Sequence, residues 1–517
     1  MKTLIYLFVF VYFTKNSNAK NILIFAGHAS KSHWGSMKNL IVSLSNDGHN
    51  ITLLRTSPDQ WKPLCEKCNH YDIHYPLDVI GTRDLSVFFT IKLRGWMTTF
   101  PTVFNRKITH WIWENERGKL NHLLHEMKWD LSIVDLIFCD LGNALAEYLY
   151  DEYKVPYAFI SPSIILYFKS VALALGTNAG SKMAAFAEEP SDPYVKFDAG
   201  KFSDRFWNAF NNGAEVLAHK IESFLSESVH EKITGKSVNW NRFFRKASGI
   251  FTEDLPKLNY PTPTLQTITN IGYYCVNEEI VDLDLKEPYK SFVNDFKSKG
   301  TILIAFGTFA NLDMAPEKLR KAFINALSSF NDYHALSSFT DYRIIFPSNG
   351  SLETSLSHVL TTSFAPQREI LAHPKTKLFI SHGGLKSLKE SICSEIPLIV
   401  LPLMAEQNYN ARWAKEWGFA ETLNKFTMTK KEMEMKIEKV LTDSSYQKNA
   451  QKFKEMLLDN QLSMDKLITQ RTNQFFKENQ LKRDQIRKHR GLFLSFIEIF
   501  NIDLIFVPII LTFVISQ

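Results

Sequence analysis

The sequence predicts an α/β protein built from two doubly wound domains. Its 517 residues exceed what one core usually holds and suit two domains. Two short apolar strands, Asn21 to Phe25 and Gly300 to Phe306, each lead into a loop of small residues, as the first strand of a parallel βαβ unit does. Hydrophobic residues make up 45% of the chain and charged residues 22%, which is typical of a globular protein.

The first domain begins with a complete βαβ pattern. After the strand Asn21 to Phe25, an amphipathic helix is predicted from about Met37 to Asn46, and a second strand begins at Ile51. Ligands of such sheets lie beyond the carboxyl ends of the strands. The loop that carries His28 and His33 is therefore expected to face a crevice.

The second domain has its densest pattern between Phe364 and Gln407. A strand from Leu378 to Ser381 is followed by the glycine turn His382-Gly383-Gly384 and by a helix from Leu385 to Cys393. Unpaired backbone N–H groups and the positive end of the helix dipole then point at one spot. A diphosphate is expected there.

Four side chains in this window suit a nucleotide sugar. His382 can donate to a phosphate oxygen and Glu390 can accept from ribose hydroxyls, while Phe364 offers a stacking face and Gln367 an amide for a uracil edge. Each residue alone is more often structural: a satisfied histidine, a core aromatic, a solvated helix face or a cap. Their joint spacing over roughly forty residues favours the site.

The window closely resembles the donor signature of the UDP-glycosyltransferase family, in particular its UDP-glucuronosyltransferase branch. The resemblance implies the GT-B arrangement, in which two Rossmann-like domains face a cleft, with UDP-glucuronate or UDP-glucose as the donor and no resident metal. The donor-binding residues that it implies are Thr308, Phe364, Gln367, His382, Gly383, Gly384, Ser387, Glu390, Glu406 and Gln407.

The resemblance also implies a catalytic pair. Ser32-His33-Trp34 matches the loop whose histidine is the family's general base, and the strand that ends at Asp135 matches the one whose aspartate holds that histidine. His28 is the alternative base, because some relatives have a Gly-His pair in this loop. Imidazole titrates near neutral pH, and a carboxylate stabilises its protonated form, so such a pair suits deprotonation of an acceptor hydroxyl and inversion at the anomeric carbon.

Three residues depart from the family pattern. Phe364 stands where the family usually has Trp, Lys386 where it has Asn, and Glu406 where it has Asp. Lys386 either opposes the helix dipole or reaches the diphosphate as a point charge, and the sequence does not choose between these. These departures motivate an alternative hypothesis, a non-catalytic lipophile-binding protein with a degenerate donor site.

The N-terminus has the three parts of a secretory signal peptide. Lys2 precedes an apolar run from Leu4 to Phe13, and cleavage is expected after Ala19. We therefore expect the endoplasmic reticulum lumen as the location, where the sequons at Asn50 and Asn349 become usable for glycosylation.

The C-terminus is apolar, and the resemblance implies a single membrane helix there. The run from Leu504 to Ile515 would span only ~18 Å of a hydrocarbon core about 30 Å thick. An extension back to Leu492 includes Glu498 and Asp503, which are costly in lipid. Membrane association through this end is expected, with its topology open.

The predicted divisions are a signal peptide at 1–19, an acceptor-binding domain at 20–285, a UDP-sugar-binding domain at 286–465, a helical basic segment at 466–491 and a membrane anchor at 492–517.

Five cysteines are too few for a disulfide scaffold. Cys65 and Cys68 lie near His70 and His74, but the four crowd too closely for a structural zinc site, so a local disulfide or two reduced thiols is expected. The remaining cysteines have apolar neighbours and are expected to be buried thiols: Cys139, Cys275 and Cys393.

Charge and aromatic content limit the partners. The net charge of +6 gives no reason to expect nucleic-acid binding, and a small lipophilic hydroxyl acceptor is the expected partner besides the donor. A homo-oligomer is compatible with the sequence.

The aromatic-rich stretch from Pro156 to Phe251 is expected to belong to the hydrophobic core rather than to an acceptor pocket. It includes Phe202, Phe206, Trp207 and Phe210.

A nine-residue offset duplicates the stretch that begins at Ala326, which recurs from Ala335. This offset suits neither a heptad nor a solenoid. We expect it to lengthen the loop before a strand from Arg343 to Phe346.

Overall fold

Two parallel sheets form the framework of the protein. The computed structural model describes residues 19–80, 87–90, 99–137, 139–185, 190, 194–255, 260, 262–272, 274–275, 285–307, 312–328, 341–348, 356–459 and 463–480. Helices cover both faces of each sheet, which is why the inner strands are continuous apolar runs rather than alternating ones.

The first sheet has seven parallel strands in the order β3-β2-β1-β4-β5-β6-β7. Their bounds are β1 Asn21–Phe25, β2 Asn50–Ser57, β3 Asn69–His74, β4 Leu131–Asp135, β5 Tyr157–Ser161, β6 Ile250–Thr252 and β7 Ile268–Asn270. The strand order reverses between β1 and β4, where Ile22 pairs with Leu131 and Phe25 with Val134. Ligands of doubly wound sheets bind at such a switch point.

The second sheet has six parallel strands in the order β10-β9-β8-β11-β12-β13. Their bounds are β8 Gly300–Ala305, β9 Tyr342–Pro347, β10 Val359–Thr362, β11 Thr376–Ser381, β12 Leu398–Val400 and β13 Ala420–Thr422. Its switch point lies between β8 and β11. The prediction of two doubly wound α/β domains is confirmed.

Sixteen α-helices lie within the described residues. Their bounds are α1 Lys31–Asn46, α2 Val87–Thr90, α3 Thr99–Asn115, α4 Arg117–Asn121, α5 Asp140–Tyr153, α6 Tyr167–Ala172, α7 Phe202–Thr234, α8 Trp240–Lys246, α9 Tyr289–Val293, α10 Glu317–Ser328, α11 Gln367–Ala372, α12 Leu385–Cys393, α13 Gln407–Glu416, α14 Lys430–Thr442, α15 Ser445–Leu458 and α16 Met464–Gln480. A π-helical turn, His122–Glu126, follows α4, and 3-10 turns cover Leu77–Ile80 and Leu312–Met314.

Helix α1 begins at Lys31, and the expected start near Met37 is wrong. Its buried face starts at Trp34 and continues through Met37 and Leu40, so the apolar spacing holds from the first turn. His33 therefore lies in the first turn of a helix and not in a loop.

Helix α16 returns from the second domain to the first. Ser43 on α1 donates a hydrogen bond to Asp465, and the Phe475 ring lies 5.6 Å from the ring of Phe251 on β6. The two domains are thus joined by packing as well as by the chain that links them.

The expectation of core positions is wrong for four aromatic residues. They lie on the outer face of α7, with exposed fractions from 53% to 74%. These residues are Phe202, Phe206, Trp207 and Phe210.

Two disulfides occur among the described residues. Cys65 bonds Cys68, which is the local disulfide of the two predicted alternatives. Cys275 bonds Cys393, so the expectation of buried thiols is wrong for this pair, because the fold brings the segment after β7 against the last residue of α12. Cys139 is a buried free thiol as expected.

Several predictions fall outside the described residues. These are the signal peptide up to residue 18, Thr308, the sequon at Asn349, most of the duplicated segment and the anchor at 492–517. Within the described residues, none of the helices is both long and apolar enough to cross a membrane.

Candidate active site

His33 and Asp135 meet at the switch point of the first sheet. His33 lies in the first turn of α1, Asp135 ends β4, and 2.5 Å separates His33 Nδ1 from Asp135 Oδ2. Asp135 is fully buried, whereas 21% of the His33 side chain is exposed. Because Nδ1 faces the carboxylate, Nε2 is the atom left to take a proton from a substrate.

Backbone N–H groups hold the Asp135 carboxylate in place. Ile137 N donates to Oδ1 at 3.0 Å, and Gly27 N lies 3.5 Å from Oδ2. These contacts fix the carboxylate with Oδ2 toward His33 Nδ1.

His28, the alternative base, is committed to structural hydrogen bonds. Its Nδ1 lies 2.6 Å from Thr56 Oγ1 and its Nε2 lies 2.8 Å from Thr109 Oγ1. Burial lowers the pKa of His28 to about 3, so the ring is neutral with both nitrogens occupied. The arrangement favours His33 as the base.

Two carboxylates, one from each domain, raise the pKa of His33 through their charges. Burial lowers the pKa of His33, but the charge and hydrogen bond of Asp135, together with the charge of Glu406, more than offset burial, so the pKa lies above its usual value. Glu406 precedes α13 in the second domain. A charge from the second domain therefore acts on a histidine of the first.

The glycine turn after β11 has the predicted anion-site geometry. Gly383 has φ +84°, and a Cβ there would lie 2.5 Å from Val400 Cγ1, so only glycine fits. Asn410 Nδ2 donates to Gly383 O at 2.9 Å and fixes the turn. Helix α12 then begins at Leu385, as predicted, with its N-terminus next to the turn.

The ring of His382 is packed between two glycines. A Cβ on Gly307 would lie 3.1 Å from the ring, and one on Gly384 would lie 2.8 Å from Nε2. Burial lowers the pKa of His382 to about 4. His382 can therefore donate a hydrogen bond to a phosphate oxygen, as predicted, and does so as a neutral ring.

Gln367, Ser387 and Glu390 form one hydrogen-bonded group. Gln367 Nε2 donates to Glu390 Oε2 at 2.6 Å and to Ser387 Oγ at 3.2 Å. Burial raises the pKa of Glu390 above its usual value, although Lys386 and the bond from Gln367 oppose this. Glu390 is thus not a solvated helix-face residue, and both bonds from Gln367 use its amide nitrogen, which leaves the amide oxygen for a uracil N–H.

Phe364 and Gln407 differ in their accessibility to a ligand. Phe364 is 71% exposed and lies in the short segment between β10 and α11, so its face is available to a base. Gln407 is buried, and its Oε1 accepts from Leu403 N at 2.8 Å and Met404 N at 2.9 Å. Only the amide nitrogen of Gln407 remains for a sugar hydroxyl.

Lys386 reaches across the cleft. It is exposed in the first turn of α12, yet a Cβ on Gly35 of α1 would lie only 2.7 Å from its Nζ. The ammonium group of the second domain therefore lies next to α1 of the first domain, the helix that carries His33.

Sequence reasoning missed the contacts behind the site. Lys389 on α12 forms a buried ion pair with Glu253, which follows β6 in the first domain, with side-chain exposures of 7% and 5%. The Tyr274 hydroxyl donates to Glu253 Oε1 at 3.3 Å, and Lys389 Nζ lies 3.9 Å from the centre of the Tyr274 ring. We call these three residues and the Cys275–Cys393 disulfide the α12 clamp. No local pattern signals it, because its partners are far apart in sequence.

Together these features define a class of enzyme. A histidine held by a buried aspartate lies at one switch point, and a glycine turn with a helix N-terminus lies at the other, while the charge of Glu406 from the second domain raises the pKa of the histidine. This is the site of a two-domain glycosyltransferase that uses a nucleotide-sugar donor.

Comparison with known proteins identifies the family. The model of the UDP-glucoronosyl and UDP-glucosyl transferase family matches residues 122–465. The chain belongs to this family and is a UDP-glycosyltransferase.

Relatives match over nearly the whole chain. Putative UDP-glucuronosyltransferase ugt-48 of Caenorhabditis elegans is 26% identical over 511 residues, which cover 95% of this chain and 91% of the relative. UDP-glucuronosyltransferase 1A6 of Homo sapiens is 26% identical over 456 residues, which cover 83% and 77%.

Solved structures share the fold. UGT2 of Phytolacca americana, complexed with UDP-2fluoro-glucose and pterostilbene, has a TM-score of 0.55 at 15% identity and covers 88% of this chain and 99% of its own. The glycotransferase of kitacinnamycin has a TM-score of 0.57 at 14% identity, with coverage of 90% and 99%. The GT-B arrangement is confirmed.

The raised pKa of His33 predicts a pH dependence. A histidine that acts as a general base must be neutral, so with His33 in that role we expect kcat/KM to fall as pH decreases through a midpoint above the usual histidine value of 6.5. Asp135→Asn and Glu406→Gln should each move that midpoint to lower pH, because each removes a charge that favours the protonated ring. The profile should be measured with an aliphatic alcohol as acceptor, which does not titrate in this range. A midpoint that stays in place in Asp135→Asn would assign the titration to another group.

Proposed function

We propose that the protein transfers glucuronate or glucose from UDP to a hydroxyl of a small lipophilic acceptor, with His33 as the general base and Asp135 as its partner. The observation that carries this proposal is the His33–Asp135 pair at 2.5 Å, with Glu406 of the donor domain acting on the same ring. Glu406 suits sugar hydroxyls, so a sugar held by it would lie beside the base.

The proposed reaction is a single displacement. The acceptor O–H gives its proton to His33 Nε2 while its oxygen attacks the anomeric carbon. The bond from that carbon to the UDP oxygen breaks, its electron pair leaves with UDP, and the configuration inverts. Asp135 stabilises the imidazolium that forms. The N–H groups at the start of α12 stabilise the charge on the departing diphosphate.

Lys386 bears on the choice of donor. His382 is neutral, so the ammonium of Lys386 supplies a positive charge in the first turn of α12, where the diphosphate is expected. Its position beside Gly35 also suits a carboxylate on the sugar, which favours glucuronate. The names of the C. elegans and human relatives, both UDP-glucuronosyltransferases, agree with this choice.

Location is part of the proposal. The signal-peptide pattern before Ala19 supports entry into the endoplasmic reticulum lumen, and the apolar C-terminal segment supports attachment to its membrane. Lipophilic acceptors would be concentrated beside such an enzyme.

Product formation tests the proposed function. Membranes that contain the intact chain should be offered UDP-glucuronate and UDP-glucose separately with a simple phenol, and the conjugate detected by mass spectrometry. We expect a conjugate, with more from UDP-glucuronate than from UDP-glucose. If the folded chain neither forms a conjugate nor binds UDP, the alternative of a lipophile-binding protein with a degenerate donor site replaces this proposal.

A further inference from the structure

A small cavity lies in the first domain, beyond the carboxyl end of β4. Leu136 and Ile137, which directly follow Asp135, form one wall, and residues of α5, α6, α7 and α8 form the others. Its volume of about 40 Å³ holds a small functional group such as a carbonyl, but not a whole lipophilic molecule. The cavity adjoins the strand end that carries the partner of His33.

The ammonium group of Lys169, on α6, lies at this cavity. Lys169 is only 6% exposed, and its Nζ lies 3.8 Å from the centre of the Phe244 ring and 5.5 Å from that of Phe168. An ammonium group has three N–H donors, and within the part of the chain that the structure describes none of them meets a hydrogen-bond acceptor. A buried donor without an acceptor is unfavourable, so a ligand of this cavity is expected to supply one.

The charges around Lys169 decide what kind of acceptor fits. Burial lowers the pKa of Lys169, and the negative charges of Glu222, Asp140 and Asp135 oppose this and favour the ammonium form. Burial raises the pKa of Asp140 to about 6, so its carboxyl group is mostly ionised at neutral pH. Arg106 also acts on Asp140 but does not line the cavity. An additional anion beside Lys169 would therefore meet carboxylates that repel it.

His219 adds no positive charge to the cavity. Burial lowers its pKa well below the usual histidine value, so the ring is neutral. Its Nδ1 lies 3.1 Å from Glu222 Oε2, and its ring stacks on Phe168 with the ring centres 4.2 Å apart. The cavity thus offers an ammonium donor between aromatic rings and carboxylates, and an uncharged oxygen fits it better than an anion does.

We propose that Lys169 selects the molecule that receives the sugar, by donating a hydrogen bond to an uncharged oxygen at its far end, such as a ketone or ester carbonyl. This inference rests on the proposed function and adds a substrate class to it, lipophilic hydroxyl compounds that also carry a carbonyl group. The hydroxyl lies at His33, and the carbonyl reaches past Asp135 into the cavity.

A matched pair of phenols tests this with the full chain. One phenol carries a para-butyl chain, and in the other the third carbon of that chain is a ketone, which two methylene groups insulate from the ring. The dissociation constants of both are measured by calorimetry. Lys169→Met should weaken binding of the ketone by about tenfold and leave that of the butyl phenol nearly unchanged, because only the ketone loses a hydrogen bond from a charged donor.

Lys182→Met is the matched control. Lys182 is also 6% exposed, but its Nζ donates to Ile165 O at 2.6 Å and it does not line the cavity. This variant should change the affinities for the two phenols by the same factor. If a thermal scan shows that Lys169→Met unfolds the chain, Lys169→Met combined with Glu222→Gln removes the unpaired charge and takes its place in the comparison.

Three results would overturn the proposal. They are an equal change for both phenols in the Lys169 variant, no binding of the ketone by the original chain, and tighter binding of a phenol with a para-propanoate chain than of the ketone, since the preferred group would then be an anion. Binding is the readout and transfer is not. If both phenols are conjugated but the Lys169 variant keeps the ratio of their affinities, this inference fails and the proposed function stands.

Discussion

Replacing His33 with alanine should lower the rate of sugar transfer by about two to four orders of magnitude, the usual contribution of a positioned general base. UDP affinity should change little, because the donor groups around the glycine turn belong to the other domain. The single-turnover rate at saturating donor measures the first effect, and calorimetric titration with UDP measures the second.

His28→Gln is the matched control. Glutamine retains a donor and an acceptor for Thr56 and Thr109, so folding is weakened only modestly and transfer should stay within a few-fold of the original rate. Loss of transfer in His28→Gln with retention in His33→Ala would make His28 the base and overturn the assignment.

Lys389→Met should destabilise the protein by about 3–5 kcal/mol, since it leaves the Glu253 carboxylate buried without its cation. The effect is large because both side chains are almost completely removed from solvent. A fall in the thermal midpoint on the order of 10 °C is expected in a thermal scan.

Two further variants test whether the loss of stability in Lys389→Met comes from the buried ion pair. Lys321→Met breaks the Lys321–Glu317 pair, in which both side chains are 66% exposed, and should leave the thermal midpoint nearly unchanged because solvent screens such a pair. Combining Lys389→Met with Glu253→Leu should recover most of the lost stability, because no unpaired charge then remains. Equal losses for Lys389→Met and Lys321→Met would show that the buried pair has no special role.

Local patterns in the sequence predicted the framework well. The strand Asn21–Phe25 and the helix Leu385–Cys393 have the predicted bounds, because a short apolar run and a glycine turn are features of adjacent residues. The pairing of His33 with Asp135 came from family resemblance, and the structure places them together. Its catalytic role stays a prediction.

The wrong predictions for the α7 aromatic residues and for Cys275 and Cys393 have a common physical cause. Burial depends on what packs against a helix, and α7 turns Asn208 and Asn212 inward to satisfy backbone carbonyls of the Ala179–Lys182 segment, which leaves its aromatics outside. Likewise, the apolar neighbours of Cys275 and Cys393 indicate burial but not a partner, and a sequence separation of 118 gives no local sign of their bond.

The disulfide of the α12 clamp ties the C-terminal end of α12 to the segment after β7. The disulfide lies at Cys393, the C-terminal end of α12, whereas the anion site lies at Leu385, ~12 Å away along the helix axis. With one end fixed, a rotation of about ten degrees would move the anion-site end by ~2 Å, comparable to the difference between a formed and a broken hydrogen bond. We therefore expect UDP release to require only a small rotation of α12 about the Cys275–Cys393 disulfide at its C-terminal end.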